Sequence, residues 1–364
     1  MHVLVTADTV GGVWTYTQEL VCGMLERGHR VTLVSFGRMP TQAQAIWLHR
    51  PNLTYYPTAF PLEWMQDVEA GVEDSARYLE RLIQECNPDV LHLNQYRYGT
   101  LDCGIPKVVV AHSDVISWWN SVHDDDPPDF AWFAWYKNLV AEGLTGADAV
   151  VTPSRWMLDV IGQHYPEPRS ARVIYNGRRA STFSSACPKT DCVLSVGRLW
   201  DEAKQIRLLL ARSHRVPIWV AGSTKHPENG GAASLNTGEN VCFYGERDER
   251  QLCALYSDSA SYAATSRYEP FGLAPLEAAL SGCALIANDI PVFRELWGDA
   301  ALYFRRNDPD ALAEAINIIF ENTGVRESLA GKARQRALER FSSQRMVAEY
   351  EQLYRELRGQ GAAA

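Results

Sequence analysis

The chain has 364 residues, of which 46% are hydrophobic and 22% are charged, and its formal net charge at pH 7 is −9. This length and composition predict a soluble globular protein with two domains of similar size. The negative charge argues against a protein that binds nucleic acid or an anionic membrane surface through basic residues.

Cysteine usage and the N-terminus indicate a cytoplasmic protein. The eight cysteines include no Cys-x-x-Cys pair, and their scatter is typical of reduced, structural thiols. The segment Met1-His-Val-Leu-Val-Thr-Ala has no basic segment and too short an apolar run for a signal peptide. No apolar run approaches the roughly 20 residues that span a bilayer, so we expect no stable membrane insertion.

In the first half of the chain, predicted strands alternate with helices. Short apolar runs predict strands at residues 3–7, 30–36, 89–93, 107–111 and 147–151, and the first amphipathic helix ends near Gly28. This alternation indicates an open α/β sheet with crossover helices, in which ligands bind beyond the carboxyl ends of the strands. The G-x-G-x-x-G dinucleotide fingerprint is absent.

Polar residues and glycines follow these predicted strands, where a ligand would bind. Asp8 lies at the tip of the first strand. Gly11-Gly12 opens the turn after it, where bare backbone could face a phosphate or simply form a tight turn. His92 and His112 end two later strands, and each is either a site residue or a packed core histidine.

Aromatic residues are concentrated in residues 46–136 and include Trp118 and Trp119. Core packing is the ordinary explanation for most of them, but aromatic faces also stack on sugar rings, and two or three could line a groove. A surface that dips into a membrane normally carries lysine and arginine. This segment instead contains acidic residues such as Glu63 and Asp67.

The run Asp124-Asp-Asp126 superficially matches an Asp-x-Asp metal motif, whose carboxylates would hold a divalent ion bound to phosphates. It precedes two prolines in a predicted loop, and a solvated charge run at a helix start is the preferred interpretation. We therefore expect no metal site.

The second half begins with basic residues after a buried strand. A polar segment without periodicity, residues 178–189, is the predicted linker. The next strand ends in Gly197-Arg198, and Lys204 follows. Arginine offers a planar fork of donors and lysine a mobile point charge, so the two suit a diphosphate. The alternative is an ordinary basic pair on the surface.

The most informative stretch is Glu269-Pro-Phe-Gly-Leu-Ala-Pro-Leu-Glu277, which follows an apolar strand at residues 260–265 and enters a helix near Leu273. A helix N-terminus presents unpaired backbone N–H groups and a positive dipole end, so it binds anions. Gly272 lets the backbone approach a ligand closely. Carboxylates beside a bound phosphate are favourable only if they accept hydrogen bonds from hydroxyls. The stretch therefore predicts a nucleotide-sugar site, with an ordinary strand–loop–helix and two solvated glutamates as the alternative.

This stretch resembles the Glu-x7-Glu signature of family 4 of the retaining, nucleotide-sugar-dependent glycosyltransferases, which have the GT-B fold. The resemblance implies that Glu269 contacts hydroxyls of the donor sugar and Glu277 those of the ribose. It also implies that the backbone between them, including Phe271, Gly272 and Leu273, holds the diphosphate and the sugar.

The resemblance covers nearly the whole chain and implies further site residues. Gly11-Gly12 would lie beside the donor diphosphate, Arg198 and Lys204 would stabilise the departing nucleoside diphosphate, and His112 would lie close to the reacting sugar. Gly245-Glu246 is where the family usually meets the nucleotide base. The first domain of the family carries the acceptor, for which the candidate contacts are Asp8, His92, Trp118 and Trp119.

The GT-B fold implies two doubly wound, Rossmann-like α/β domains that face an interdomain cleft. We accordingly expect an acceptor-binding domain at residues 1–180 and a nucleotide-sugar-binding domain at residues 190–342. A C-terminal helix at residues 343–358 would cross back to the first domain.

The expected function is transfer of a hexose-type sugar, with retention, from a nucleoside-diphosphate sugar to a hydroxyl group of a glycan or small-molecule acceptor. No metal or other cofactor is expected, because cationic side chains and helix N–H groups can stabilise the leaving diphosphate. The family's front-face substitution, in which a donor phosphate oxygen takes the acceptor proton, fits this site, and a double displacement stays open. The alternatives are a nucleotide-sugar epimerase on the same architecture and a non-catalytic nucleotide-sugar-binding protein.

Overall fold

The computed structural model of the protein describes residues 1–185, 188–226 and 240–361. The chain divides into two compact units. One contains Met1–Gly177 and the segment that begins at Ser343, and the other is Arg178–Ser342. Each unit has its own parallel sheet and its own hydrophobic core.

In the described part of the first unit, seven parallel strands form one sheet. They are β1 (His2–Asp8), β2 (Arg30–Phe36), β3 (Leu53–Pro57), β4 (Val90–Leu93), β5 (Lys107–Val110), β6 (Ala149–Thr152) and β7 (Ala171–Val173). Their order is β3-β2-β1-β4-β5-β6-β7, so the chain winds outward from β1 and then from β4 in the opposite direction. The switch point between β1 and β4 is where doubly wound sheets bind ligands.

Helices cover both faces of this sheet. They are α1 (Gly12–Glu26), α2 (Gln42–Ala45), α3 (Glu69–Cys86), α4 (Val115–His123), α5 (Ala131–Gly146) and α6 (Arg155–His164). Because successive strand residues point to opposite faces, Leu4 packs in one hydrophobic cluster with Leu79 of α3, whereas Val3 and Val5 pack in another with Leu20 of α1. Burial on both faces explains why the central strands β1, β2, β4, β5 and β6 are largely apolar.

The second unit repeats this architecture. Within the residues described there, six parallel strands form a sheet: β8 (Thr190–Val196), β9 (Ile218–Ala221), β10 (Val241–Gly245), β11 (Ser259–Ala264), β12 (Ala284–Asn288) and β13 (Ala301–Phe304). The order β10-β9-β8-β11-β12-β13 places the switch point between β8 and β11. The predicted doubly wound α/β architecture is thus confirmed in both units.

The helices described in the second unit pack around its sheet. They are α7 (Arg207–Leu210), α8 (Glu249–Asp258), α9 (Leu273–Leu280), α10 (Pro291–Trp297), α11 (Pro309–Glu321) and α12 (Thr323–Arg340). The last helix, α13 (Ser343–Gly361), belongs to the first unit. Glu351 fixes α13 there, because it accepts a hydrogen bond of 2.8 Å from Arg27 and pairs with His29 at 3.0 Å.

The predicted linker, residues 178–189, is held to the second unit at both ends. The backbone N–H of Arg178 donates to the carbonyl of Phe341 at 3.0 Å. The ammonium group of Lys189 donates to the carbonyls of Ser281 at 2.6 Å and Tyr256 at 3.1 Å. Residues at both ends of this segment thus bind backbone groups of the second unit, and Ala186 and Cys187 lie outside the described residues.

The acidic run at Asp124 lies at the end of a helix, not at the start of one. Asp124 caps α4 in the left-handed conformation with φ 54°, and α5 begins only at Ala131. Its three carboxylates are exposed, as a solvated charge run requires. Among the described helices, none has the length and the apolar character needed to cross a bilayer.

Candidate active site

In the second unit, the loop from β11 to α9 presents a helix N-terminus. Gly272 precedes α9 with φ 88°, a left-handed conformation that favours glycine, and no side chain caps the first turn. The first backbone N–H groups of a helix have no partner within the helix. This turn can therefore donate hydrogen bonds to an anion.

Glu269 and Lys204 form an ion pair beside this loop. The Lys204 ammonium group donates to Glu269 Oε2 at 2.5 Å, and both side chains are largely buried, with exposed fractions of 17% and 13%. The Ser266 hydroxyl donates to the same oxygen at 3.1 Å. The loop that carries Lys204 is also tied to β11, because the Thr265 hydroxyl donates to the Lys204 carbonyl at 2.6 Å. Lys204 and Glu269, which are far apart in the sequence, are thus in direct contact.

Arg198 lies just beyond the end of β8, in the same loop as Lys204. Its guanidinium group donates to Asp201 Oδ2 at 2.7 Å and lies 5.3 Å from the ring centre of Trp200. The side chain is 43% exposed, so its other donors can reach a ligand. A Cβ atom placed on Gly197 would lie 3.5 Å from the Lys204 side chain, which brings both cations to one turn.

Glu277 is buried on α9 against a cation that sequence reasoning missed. Arg178 Nε lies 3.0 Å from Glu277 Oε1, and Arg178 Nη2 donates to Glu249 Oε1 at 2.5 Å. Arg178 is only 1% exposed. Tyr256 is also buried there, and burial, together with the nearby Glu277 carboxylate, raises the pKa of its hydroxyl well above 10. The sequence analysis places Arg178 only at the start of the predicted linker.

The remaining donor candidates of this unit differ in what they can offer a ligand. Gly245 ends β10 with φ 68°, and it and Glu246 are exposed. The Phe271 ring is buried perpendicular to Phe341 at 5.4 Å, so Phe271 can contribute only its backbone. Leu273, the first residue of α9, is half-buried.

In the first unit, β1 leads into a second open helix N-terminus. Gly11 precedes α1 with φ 81°, no side chain caps the helix, and Gly11 and Gly12 are exposed. Asp8 is buried at the tip of β1, where it accepts hydrogen bonds from the Val10 N–H at 2.6 Å and from the Trp64 indole at 3.2 Å. Gly11-Gly12 is thus open to a ligand, whereas Asp8 orders the turn and Trp64.

His112 is held by Asn94, a residue that sequence reasoning missed. His112 Nε2 and Asn94 Oδ1 are 2.8 Å apart, and the Asn94 amide N–H donates to the Thr6 carbonyl at 2.5 Å. Because Asn94 Oδ1 can only accept, Nε2 of His112 carries the proton and Nδ1 carries a lone pair. Desolvation lowers the pKa of His112 to about 3, so the ring is neutral at pH 7.

His92 does not fit the expectation that it contacts an acceptor. It is fully buried, with Nε2 at 3.1 Å from the Tyr16 hydroxyl and Nδ1 at 2.6 Å from the Tyr354 hydroxyl. Burial, and secondarily the nearby His112, lowers its pKa to about 3. His92 is therefore a neutral core residue that joins α1, β4 and α13.

Trp118 and Trp119 lie on α4 and are half-buried. The Trp119 ring centre is 4.1 Å from that of His123 and 5.3 Å from that of Phe133. Trp132 also joins this region, because its ring centre lies 5.1 Å from that of Phe133. Part of the aromatic segment thus forms a cluster with partly accessible rings.

Glu63 is a further buried acid that the sequence did not single out. Its carboxylate accepts hydrogen bonds from the backbone N–H groups of Tyr96 at 2.8 Å and Arg97 at 3.0 Å. Burial outweighs these bonds and raises the pKa of Glu63 to about 7. Among the described residues, no three His, Cys, Asp or Glu side chains come together in an arrangement that could hold a metal ion.

Two family models match the chain in succession. The model described as Glycosyltransferase Family 4 matches residues 10–181, and the one described as Glycosyl transferases group 1 matches residues 179–336. Among curated proteins, the chain is 28% identical to the O-antigen chain mannosyltransferase RfbU of Salmonella typhimurium, over 55% of this chain and 60% of that protein. It is 23% identical to alpha-maltose-1-phosphate synthase of Mycolicibacterium smegmatis, over 70% of this chain and 74% of that protein.

Solved structures share the fold over the whole chain. Sucrose-phosphate synthase from Thermosynechococcus elongatus has a TM-score of 0.83 at 19% identity, with both chains fully covered. HepE from Anabaena, solved in complex with UDP-glucose, has a TM-score of 0.74 at 17% identity, over 98% of this chain and 100% of that one. With the two doubly wound sheets, these similarities confirm the GT-B fold.

Proposed function

Because the chain belongs to glycosyltransferase family 4, we propose that it transfers a hexose-type sugar from a nucleoside-diphosphate sugar to a hydroxyl group, with retention at the anomeric carbon. The observation that carries this proposal is the Lys204–Glu269 pair beside the uncapped N-terminus of α9. A cation, a carboxylate and free N–H groups at one turn suit a ligand that joins phosphate to sugar.

Residues of the second unit stabilise the diphosphate leaving group in this proposal. Cleavage of the anomeric C–O bond develops negative charge on the diphosphate and positive charge on the sugar. Arg198, Lys204 and the first N–H groups of α9 stabilise the diphosphate, so the reaction needs no metal. Glu269 accepts hydrogen bonds from hydroxyls of the transferred sugar, and Glu277 does so from the ribose. Gly245 and Glu246 border the base.

The first unit supplies Gly11-Gly12 and His112. The N–H groups at the start of α1 bind the diphosphate from this unit. His112 is neutral, and its Nδ1 lone pair accepts a hydrogen bond from a hydroxyl of the reacting sugar. In the front-face reaction, a donor phosphate oxygen takes the proton of the acceptor hydroxyl as the new glycosidic bond forms and the diphosphate departs.

The acceptor is a glycan or a small molecule that bears hydroxyl groups. Curated relatives are named for O-antigen mannosyl transfer and for maltose-1-phosphate synthesis, and HepE binds UDP-glucose. These names support a carbohydrate acceptor and make UDP-sugars the first donors to test. The half-buried Trp118 and Trp119 are the acceptor contacts that we favour, because aromatic faces stack on sugar rings.

The seven described cysteines are free thiols, which supports a cytoplasmic location.

A thermal-shift screen over UDP-, GDP- and ADP-sugars tests this proposal. A ligand at 100 times its dissociation constant adds about 2.7 kcal/mol to the free energy of unfolding, so the correct nucleotide should raise the melting temperature clearly. The shift should persist in EDTA. Failure of all three nucleotide classes to stabilise the protein would contradict the proposal. A strict requirement for Mg²⁺ or Mn²⁺ would restore Asp124 and Asp126 as candidate metal ligands.

A further inference from the structure

Arg178 is a buried cation between two carboxylates of the second unit. Its Nε lies 3.0 Å from Glu277 Oε1, and its Nη2 donates to Glu249 Oε1 at 2.5 Å. The two carboxylates differ in exposure, since the side chain of Glu249 is 45% exposed and that of Glu277 only 11%. Loss of the Arg178 cation would therefore destabilise the charged form of Glu277 more than that of Glu249.

The position of Arg178 is fixed by its backbone and by its ring contact. The Arg178 N–H donates to the Phe341 carbonyl at 3.0 Å, and residue 178 forms a parallel β-bridge with Ser342. The guanidinium carbon lies 5.2 Å from the ring centre of Phe183. A guanidinium group held in this way presents its planar fork in one orientation, so it orients a carboxylate as well as neutralising it.

A carboxylate that accepts hydrogen bonds from two vicinal hydroxyls must be both ionised and correctly turned. Burial opposes ionisation, and an adjacent cation favours it. Only 9% of Glu277 is exposed, so solvent alone cannot hold its charge. The buried Arg178 beside Glu277 can meet both requirements.

We propose that Arg178 is a positioning residue of the ribose subsite, which holds Glu277 charged and oriented toward the 2′- and 3′-hydroxyls of the donor nucleotide. This inference rests on the proposed function of Glu277. Arg178 itself does not touch the ligand. Its contribution to affinity should therefore depend on the ribose hydroxyls.

The test compares a nucleoside diphosphate with its 2′,3′-dideoxy counterpart by calorimetry, beginning with UDP or with the base that the thermal screen selects. The ratio of the two dissociation constants measures the ribose preference. Hydrogen bonds to a charged group contribute about 1.5–3 kcal/mol, so wild type should prefer the ribose form by about tenfold or more. In Arg178→Met this preference should fall to about twofold or less, as in Glu277→Gln, and the double variant should show no further loss.

Two further variants separate positioning from folding. Glu249→Gln removes the other partner of Arg178 and should keep the wild-type preference. Arg178→Lys keeps a buried positive charge, and should fold even if Arg178→Met does not. In Arg178→Lys the ribose preference should increase between pH 6 and pH 8, because a buried carboxylate with a poorer cation takes up a proton more readily.

The outcomes distinguish this inference from the function on which it rests. Equal loss of affinity for both nucleotides in Arg178→Met, or in Arg178→Lys at both pH values, would make Arg178 purely structural and overturn the inference. If wild type binds UDP and its dideoxy counterpart equally, Glu277 does not contact the ribose, and the proposed function of Glu277 is overturned together with the inference. An unchanged preference in both Arg178 variants, with a lost preference in Glu277→Gln, would overturn the inference and leave the proposed function intact.

Discussion

Lys204 is the residue whose charge the proposed reaction uses most directly. It is largely buried, donates to Glu269 and lies at the turn that follows β8. Replacing Lys204 by alanine removes a cation from the developing diphosphate and leaves Glu269 without this partner. We expect turnover to fall by roughly 10²-fold or more, the size seen when one stabilising donor is lost from a transition state.

Steady-state rates of Lys204→Ala, with Lys332→Ala as the matched control, measure this effect. Lys332 forms an exposed pair with Asp299 at 2.8 Å in the same unit. Such surface pairs contribute about 0–1 kcal/mol, so the control should retain wild-type turnover and nearly wild-type stability. A wild-type rate in Lys204→Ala would remove the phosphate assignment.

The two glutamates of the motif should have different kinetic effects. In the proposed site, Glu269 would contact the transferred sugar, whose hydrogen bonds tighten as the ring approaches an oxocarbenium-like state, so Glu269→Gln should mainly lower kcat. Glu277 would contact the ribose, whose contacts change little during the reaction, so Glu277→Gln should mainly weaken donor binding. Calorimetry with the free nucleoside diphosphate should show near-normal binding to Glu269→Gln and weaker binding to Glu277→Gln. The reverse order would mean that the donor lies in the opposite direction.

Glu63 should make stability depend on pH in a direction unusual for a carboxyl group. Its pKa is raised to about 7 by burial, whereas an unfolded glutamate titrates near 4.5. Glu63 therefore stays protonated to a higher pH in the folded protein than in the unfolded chain. The contribution of Glu63 is fully present below pH 4.5 and is lost, by about 1.4 kcal/mol per pH unit, as the pH rises to 7.

Glu63→Gln, compared with Glu80→Gln on the exposed side of α3, tests this linkage. Urea midpoints between pH 4.5 and 8 give the difference in unfolding free energy between each variant and wild type. Glu63→Gln should gain stability relative to wild type as the pH rises, whereas Glu80→Gln should show a constant difference. A constant difference for Glu63→Gln would mean that Glu63 is ionised throughout this range.

At the scale of elements, the carboxyl ends of β8, β9 and β10 are held together by a close backbone contact. Gly222 follows β9 with φ 140°, and a Cβ atom there would lie 1.7 Å from the Gly197 carbonyl oxygen. The Gly222 N–H also donates to the Gly245 carbonyl at 2.8 Å. Gly222→Ala should cost roughly 1–3 kcal/mol in backbone strain alone, and should lower turnover because Gly197 precedes Arg198.

Thermal unfolding of Gly222→Ala, beside Gly331→Ala, measures this contact. Gly331 lies in α12, and a Cβ atom there would meet nothing within 4 Å. Removing a glycine from a helix interior stabilises by up to about 1 kcal/mol, so the control should move in the opposite direction. A Gly222→Ala variant as stable as wild type would show that the loop relaxes freely.

Most strands of both units could be predicted from the sequence, because strands buried on both faces are continuous apolar runs. The strands β3 and β13 could not, because they are only partly buried. The start of α9 at Leu273 could also be predicted, from the glycine that precedes it. Contacts between residues that are far apart in the sequence could not be predicted. Nothing local indicates that Asn94 orients His112, or that Arg178 is buried against Glu277. The sequence also could not decide the role of His92, because the same strand-end pattern describes a ligand contact and a core histidine paired with tyrosines.

At the scale of the whole molecule, the residues of the proposed reaction are divided between the two units. Gly11, Gly12 and His112 belong to the first, whereas Arg198, Lys204 and the two motif glutamates belong to the second. The sequence could predict this division because Gly11-Gly12 and His112 precede the predicted linker, residues 178–189, whereas the other candidates follow it. Loss of a site residue from either unit should therefore slow transfer while leaving the fold of the other unit intact.

Proton NMR of donor turnover tests the central claim most directly. The donor that the thermal screen selects is incubated with the protein in EDTA, and water serves as a slow acceptor. We predict that the nucleoside diphosphate accumulates, that the first sugar released has the same anomeric configuration as the donor, and that Lys204→Ala slows both by roughly 10²-fold. Release of the opposite anomer, or no release from any nucleotide-sugar, would contradict the account.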